Sequence, residues 1–402
     1  MKRIVRNVTH HADLYRIALY LGVTGYGGLA VLTQIKKRYV YESAIVSERT
    51  FNDALSLAQV LPGSTIINLI AFFSYLRAGL IGAILGTGIY ILPTFLLTTA
   101  AAAFYFRFAG LTVTSTMLTG LNILLIPLLT NALIGLGESV WKRQGKLARR
   151  SIFISIVSFI LYLTHTVGVV TLILIAGALG MLLYAFTGFI EEGQEELGIV
   201  EGALFKRKKA WLLMLAAIVI FGLALYDLSL PLWRLFSSFI RIGLLSFGGG
   251  VASLPLMESL FVGKLGWFTS VQFWDGIAIS QLTPGPILIV SAFIGYRMAG
   301  FLGSFVATVG MLIPSVLLII LAGKIHNRIR HLIIVRNLTT GFLAGFMGML
   351  GAIIIGQISR TGMTVTVGLL SVAGFVFIRK MKYGILLAAL LSFTVPFLLA
   401  GI

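Results

Sequence analysis

Residues 246–258 read SFGGGVASLPLME, with glycines at 248, 249 and 250 set inside apolar sequence. Each glycine in a helix interior costs about 1 kcal/mol relative to alanine. A second interruption follows at Pro284 and Gly285, with Pro286 behind it. Proline removes a backbone donor and clashes with the preceding turn. Glycine permits positive φ and close backbone approach. At membrane depth, such irregular backbone is tolerated only where it is buried in protein or lines a cavity. The stretch therefore asks whether the chain lies in a membrane.

Composition answers that it does. The chain has 402 residues, 58% of them hydrophobic and only 11% charged, with a mean hydropathy of +1.01. A soluble domain carries roughly 25% charged residues. The fold class expected is an all-α polytopic membrane protein. The net charge of +18 would suggest nucleic acid in a soluble protein. Here the basic residues cluster in short loops between apolar runs, as the positive-inside rule requires, so nucleic acid is not expected as a partner and membrane lipid is. The absence of cysteine removes disulfide, thiolate and iron–sulfur chemistry. The five histidines lie at or near segment ends, so neither a metal nor a cofactor is expected. The basic start, MKRIVRNVTHHAD, lacks a small-residue cleavage site after it and does not read as a removable signal.

About thirteen apolar segments are expected, near 14–35, 51–76, 79–106, 111–137, 151–163, 166–186, 210–226, 231–257, 272–297, 300–323, 333–357, 361–378 and 383–401. With a cytoplasmic N-terminus, the basic groups at 142–150, 206–209, 324–336 and 379–382 all fall inside, whereas Lys36, Lys37 and Arg38 fall outside. Four clusters against one exception place the N-terminus in the cytoplasm. Residues 187–209, acidic and then basic, read as a cytoplasmic linker.

The chain repeats itself. FNDALSLAQVLPGS (51–64) aligns with FWDGIAISQLTPGP (273–286), GYGG (25–28) with SFGG (246–249), and SYLRAGLIG (74–82) with GYRMAGFLG (295–303). Pro93 falls on Pro314, and the offset stays at 221 or 222 residues throughout. This divides the chain into an N-terminal repeat (10–186), a linker with one connecting segment (187–230) and a C-terminal repeat (231–401). Six crossings followed by the extra segment 210–226 would start the second half on the opposite face. Inverted-topology repeats of this kind mark many secondary transporters, with the substrate site at the repeat interface near the bilayer midplane.

Matched breaks in the two halves are the best sequence pointer to that site. They comprise Gly27 and Gly28 with Gly248, Gly249 and Gly250, and Pro62 and Gly63 with Pro284 and Gly285. Half-helices restarting after such breaks present N–H groups that favour anions. Gln59, Ser64, Gln281 and Thr283 flank the Pro-Gly breaks and add amide and hydroxyl groups suited to an oxyanion. Arg241, inside an apolar run, and Arg297, like Arg77 near the end of a Pro-Gly segment, are further anion-contact candidates, although such arginines also anchor helices at the interface. Asp53 and Asp275 are repeat equivalents. Asp275 follows a capping-box-like TSVQ (269–272) and reads either as a proton carrier, as the partner of an arginine, or as an acid favoured near a helix start. Glu258 is expected to pair with one of the arginines just named. Pro93 and Pro314 read as kinks in packed helices.

The stretch from Arg241 to Gly300 resembles the chromate transporter family. That family's pattern is SFGG, an acid after an LPL-like run, GW, F-x-D-x-x-A-x-x-Q-x-x-PGP and GYR-x-AG, and nearly every element stands here in order. The likeness extends to both halves and so implies the long, two-domain form. It implies an inner-membrane carrier of chromate, usually outward, with sulfate as the similar oxyanion. It attaches importance to Gly248, Gly249, Glu258, Asp275, Gln281, Pro284, Gly285 and Arg297, with Arg241 where the family commonly has a basic residue. The first half departs from the pattern, with YGGL for FGGP, LPGS for LPGP and Tyr20 at the equivalent of Arg241.

Three functional classes follow. The first is a secondary transporter, an antiporter among the options, moving chromate or another anion. The second is a channel built on the same half-helices. The third, a membrane-embedded enzyme, lacks a convergent set of catalytic side chains. A homodimer stays open.

Overall fold

The computed structural model describes residues 11–26, 28–108, 112–144, 148–184, 223, 230–329, 333–362 and 364–380. Among them the secondary structure is helical, with no strand. The first half contains α1 (His11–Thr24), α2 (Gly28–Lys36), a π-helical turn (Lys37–Glu42), α3 (Glu48–Val60), α4 (Thr65–Phe108), α5 (Thr112–Gln144), α6 (Ala148–Leu163) and α7 (Val169–Tyr184). The second contains α8 (Leu230–Leu245), a 3₁₀ turn (Gly250–Ser253), α9 (Leu254–Met257), a π-helical segment (Glu258–Lys264), α10 (Ser270–Leu282), a 3₁₀ turn (Ile287–Ile289), α11 (Val290–Ile329), α12 (Ile333–Thr361) and α13 (Val365–Lys380). The linker 187–209, most of the connecting segment 210–226 and the run 383–401 lie outside the described residues.

Four stretches are long and apolar enough to cross a membrane by length and composition: Thr65–Phe108, Leu118–Glu138, Ile287–Gly323 and Asn337–Thr361. The first and third are folded on themselves. α4 leaves helical geometry at Gly79 (φ 66°, ψ −155°) and α11 at Ala299 and Gly300. Ser304 donates its hydroxyl to the carbonyl of Ala292 at 2.8 Å. In one straight helix these residues would stand about 18 Å apart. The same reversal in α4 packs Ser74 against Gly82 and Gly86. Each of these helices is therefore a short limb (65–78, 290–298) and a long limb (80–108, 301–329). Each long limb measures about 43 Å at 1.5 Å per residue.

The short limbs do not continue the helices before them. Phe51 lies 5.9 Å from Phe73, and Asn68 reaches back to the Ala58 carbonyl at 3.4 Å. Arg77, at the far end of the limb, donates to Ile45 at 2.9 Å, just ahead of α3. So α3 and the short limb of α4 form an antiparallel hairpin with Pro62 and Gly63 at its tip. α10 and α11 repeat this, with Phe268, ahead of α10, 6.4 Å from Phe293 on the short limb. The glycine breaks are hairpin tips too. The Arg38 guanidinium lies 3.6 Å over the Tyr20 ring, and Phe239 packs 5.0 Å from Phe261. The runs near 14–35, 51–76, 231–257 and 272–297 thus each fold back as a hairpin instead of forming one straight helix.

The tips rest halfway along the long limbs. Gly22 on α1 packs against Tyr90 and Pro93, and Gly243 on α8 against Met311 and Pro314. The halves also interlock: α12 packs on α5, α6 and α7, α13 on α5, and α4 on α11. The first half's Pro-Gly hairpin opens beside the Gly79 turn. The second half's opens at the other end of α4, where Phe106 stacks on Tyr296 at 6.3 Å.

Candidate functional site

The four tips meet in a crosswise pattern. The Gly63 amide donates to the Ser246 carbonyl at 2.8 Å, and the Gly285 amide donates to the Gly25 carbonyl at 2.8 Å. Gly63 and Gly285 are repeat equivalents, as are Gly25 and Ser246. The Pro-Gly tip of each half is thus tied to the glycine tip of the other. Gly63 has φ +96° and Gly285 φ +123°, a region that favours glycine. A Cβ on Gly63 would strike the Ser315 side chain, and one on Gly285 would strike Thr94. Thr94 and Ser315 occupy equivalent positions, immediately after Pro93 and Pro314.

Hydroxyl groups surround the junction. Thr94 donates to the Pro284 carbonyl. Thr98 Oγ1 lies 3.2 Å from Thr283 Oγ1, which also donates to the Ser280 carbonyl at 2.8 Å. Tyr26 donates to the Leu282 carbonyl at 3.4 Å. Ser315 is fully buried, and its hydroxyl has no hydrogen-bond partner among the described residues. The helical turns that restart at Gly250 and Ile287 touch each other, since a Cβ on Gly250 would meet Ile287 and come within 3.3 Å of the Leu288 nitrogen. Beside Gly249 the space is open to 4 Å.

The structure gathers some predicted residues here and not others. Pro62, Gly63, Ser64 and Pro284 are buried at the tips, with Thr283, Gly285, Gly248, Gly249 and Gly250 partly exposed. Gln281 is half-buried and Gln59 exposed, each on the last turn before its tip. Gly28 begins α2, and Gly27 lies outside the described residues. Arg241 is exposed on α8, more than a turn before Ser246. Arg297 lies next to the Ala299–Gly300 reversal, a full short limb from Gly285, with its guanidinium 5.7 Å from the Phe106 ring. Arg77 is engaged with loop carbonyls.

The acids divide. Asp53 is half-buried on α3. Asp275 is 2% exposed and accepts hydrogen bonds from the Tyr105 hydroxyl at 2.9 Å and the Asn122 amide at 2.5 Å. The capping box expected at 269–272 is present, Thr269 and Gln272 exchanging bonds at 3.2 Å. Glu258 corrects the reading. Its ion-pair partner is none of Arg77, Arg241 or Arg297 but Arg360, at 3.3 Å. The π-helical segment turns Glu258 towards the last turn of α12, where Trp274 Nε1 (3.0 Å) and the Tyr162 hydroxyl (3.1 Å) also donate to it. Sequence reasoning missed Thr94, Ser315, Tyr105, Asn122 and Arg360. Thr94 and Ser315 follow the matched prolines 93 and 314, but nothing in the sequence says which loop those hydroxyls face.

Broken hairpins meeting halfway along membrane-length helices define an integral membrane protein of the transporter class. The relatives refine this. The chain belongs to the chromate transporter family, whose sequence profile matches residues 12–181 and 233–397. It is 26% identical over 399 residues to an uncharacterised transporter of Methanocaldococcus jannaschii, covering 98% of this chain and 96% of that one. A probable chromate transport protein of Synechococcus elongatus is 29% identical over 359 residues, 84% of each chain. A chromate transport protein of Pseudomonas aeruginosa is 27% identical over 405 residues, 92% of this chain and 88% of its own. No solved structure matches the chain.

Proposed function

We propose that this protein is a secondary carrier of a tetrahedral oxyanion, chromate foremost, which binds where the four hairpin tips cross and leaves the cytoplasm through the inner membrane. The crosswise pair of amide–carbonyl bonds carries the reading, because it makes one junction out of equivalent breaks from both halves. The free Ser315 hydroxyl and the restarting turns at Gly250 and Ile287 supply donors for an oxyanion. The family and its chromate-transporting relatives favour the same substrate.

In this reading the halves are inverted repeats. α4 (its long limb), α5, α6 and α7 cross four times, and a crossing at 210–226 then starts the second half on the opposite face. Opposite openings of the two Pro-Gly hairpins support this. So does the charge pattern. Because α2 returns along α1, Lys36–Arg38 join the other basic clusters on the N-terminal face, the cytoplasmic one by the positive-inside rule. An inside-negative potential then drives a dianion outward with roughly 4.6 kcal/mol per 100 mV, from about 2.3 kcal/mol per charge.

The test is radiolabelled chromate and sulfate flux in proteoliposomes under an imposed potential, with Ser315→Ala and Gly285→Ala beside the wild type. Saturable chromate flux with counterflow, reduced in both variants, supports the carrier. Conduction without exchange would replace it by a channel. Sulfate flux alone would keep the site and change the substrate.

A further inference from the structure

We infer that Asp275 is a proton-binding site that couples proton movement to anion transport, with Tyr105 as its hydrogen-bond switch; this rests on the carrier reading above. Asp275 comes from α10 of the second half, yet both partners are first-half residues, Tyr105 on the long limb of α4 and Asn122 on α5. Both are neutral. A carboxylate at 2% exposure that was there only for stability would be expected to face a cation. Asn122 is itself fixed by donating to the Leu118 carbonyl at 3.0 Å, and Gln357 of α12 lies 3.4 Å from its side-chain oxygen.

The arrangement can hold either protonation state. With Asp275 ionised, the tyrosine and the amide both donate to it. When a hydronium ion at the membrane face gives up a proton and leaves as water, an O–H bond forms at the carboxyl oxygen facing Tyr105. The tyrosine hydroxyl, a donor and acceptor, then turns to accept it, while the amide still donates to the other oxygen. No group other than the proton is transferred. Titratable and charged groups on the elements packed about Asp275 and Tyr105 include Glu258, Arg360 and Tyr162, reached through the neighbouring Trp274 and engaging one another, Tyr296 and Arg297 on the short limb of α11, which pack on Phe106, and Arg107 on α4, over Phe108. Tyr105 stands one turn from the end of α4, so the proton has a short route to the surface. Asp275 lies off the anion junction, two turns before the Thr283 tip. The coupling is mechanical: Asp275 ties the second-half hairpin to first-half helices, and protonation changes that tie.

The test has two readouts on the full chain. Infrared difference spectra of purified protein across pH need no anion: a protonated-carboxyl band in the wild type should vanish in Asp275→Asn and shift in Tyr105→Phe. In proteoliposomes, chromate flux driven by an imposed pH gradient is compared with chromate–chromate exchange at equal pH. The ratio of the two should fall about tenfold or more in Asp275→Asn, the equivalent of one pH unit of driving force. An unchanged ratio, an unchanged band, or loss of both fluxes together in a monodisperse variant overturns the assignment. If the wild type carries neither chromate nor sulfate while the band still depends on Asp275, the oxyanion reading fails and the proton site stands.

Discussion

Gly63 and Gly285 hold the junction in a way no other residue can. Each combines a positive φ, an amide committed to the opposite half, and a side-chain neighbour where a Cβ would sit. Strain of this kind costs of order 1–3 kcal/mol per site. Gly63→Ala and Gly285→Ala should each lower the melting temperature of detergent-purified protein and remove flux, and Ser315→Ala should restore part of the stability of Gly63→Ala by making room. Thr94→Val should leave the Pro284 carbonyl unsatisfied, destabilising by about 1–3 kcal/mol; a wild-type melting curve for this variant would contradict that. Both glycines were legible in the sequence from their matched positions. Thr94 and Ser315 were not, because a hydroxyl beside a kinking proline carries no sign of which loop it will face. Arg360 was hidden more deeply: it lies about a hundred residues from Glu258 with no spacing rule to join them.

At the level of elements, the hairpins are where sequence and structure part. Apolar runs at 51–76 and 272–297 are long enough to cross, and hydropathy does not register a reversal at a tip. What betrays the return is a contact, Arg77 on the Ile45 carbonyl. The borders expected between 76 and 79 and between 297 and 300 nonetheless fall beside the Gly79 and Gly300 turns. A chain without cysteine suits a direct test. Single cysteines replacing Ser43 and Leu80 should both react with an impermeant maleimide from the same membrane face; reaction from opposite faces would mean that the segment crosses. The Glu258–Arg360 pair ties α12 to the second-half hairpins. With Arg360 44% exposed, Arg360→Ala should cost less than about 1 kcal/mol, measured by thermal denaturation.

For the whole molecule, the repeat was visible from an offset held at 221 or 222 residues, and it led to the junction. Its interlocking was not visible, because pairing of α12 with α6 and of α13 with α5 depends on packing between distant segments. The Pro-Gly hairpins of the two halves open at opposite ends of α4, which is what the proposed carrier reading draws on. On the proposed carrier reading, the anion sits where the four tips cross. The measurement that tests it most directly is an experimental structure with chromate bound, located by the scattering of chromium. Density is expected at the crossing of the tips, within hydrogen-bonding distance of the Ser315 hydroxyl and the backbone around Gly63 and Gly285. Density held instead by Arg297 or Arg241, with the tips empty, would contradict it.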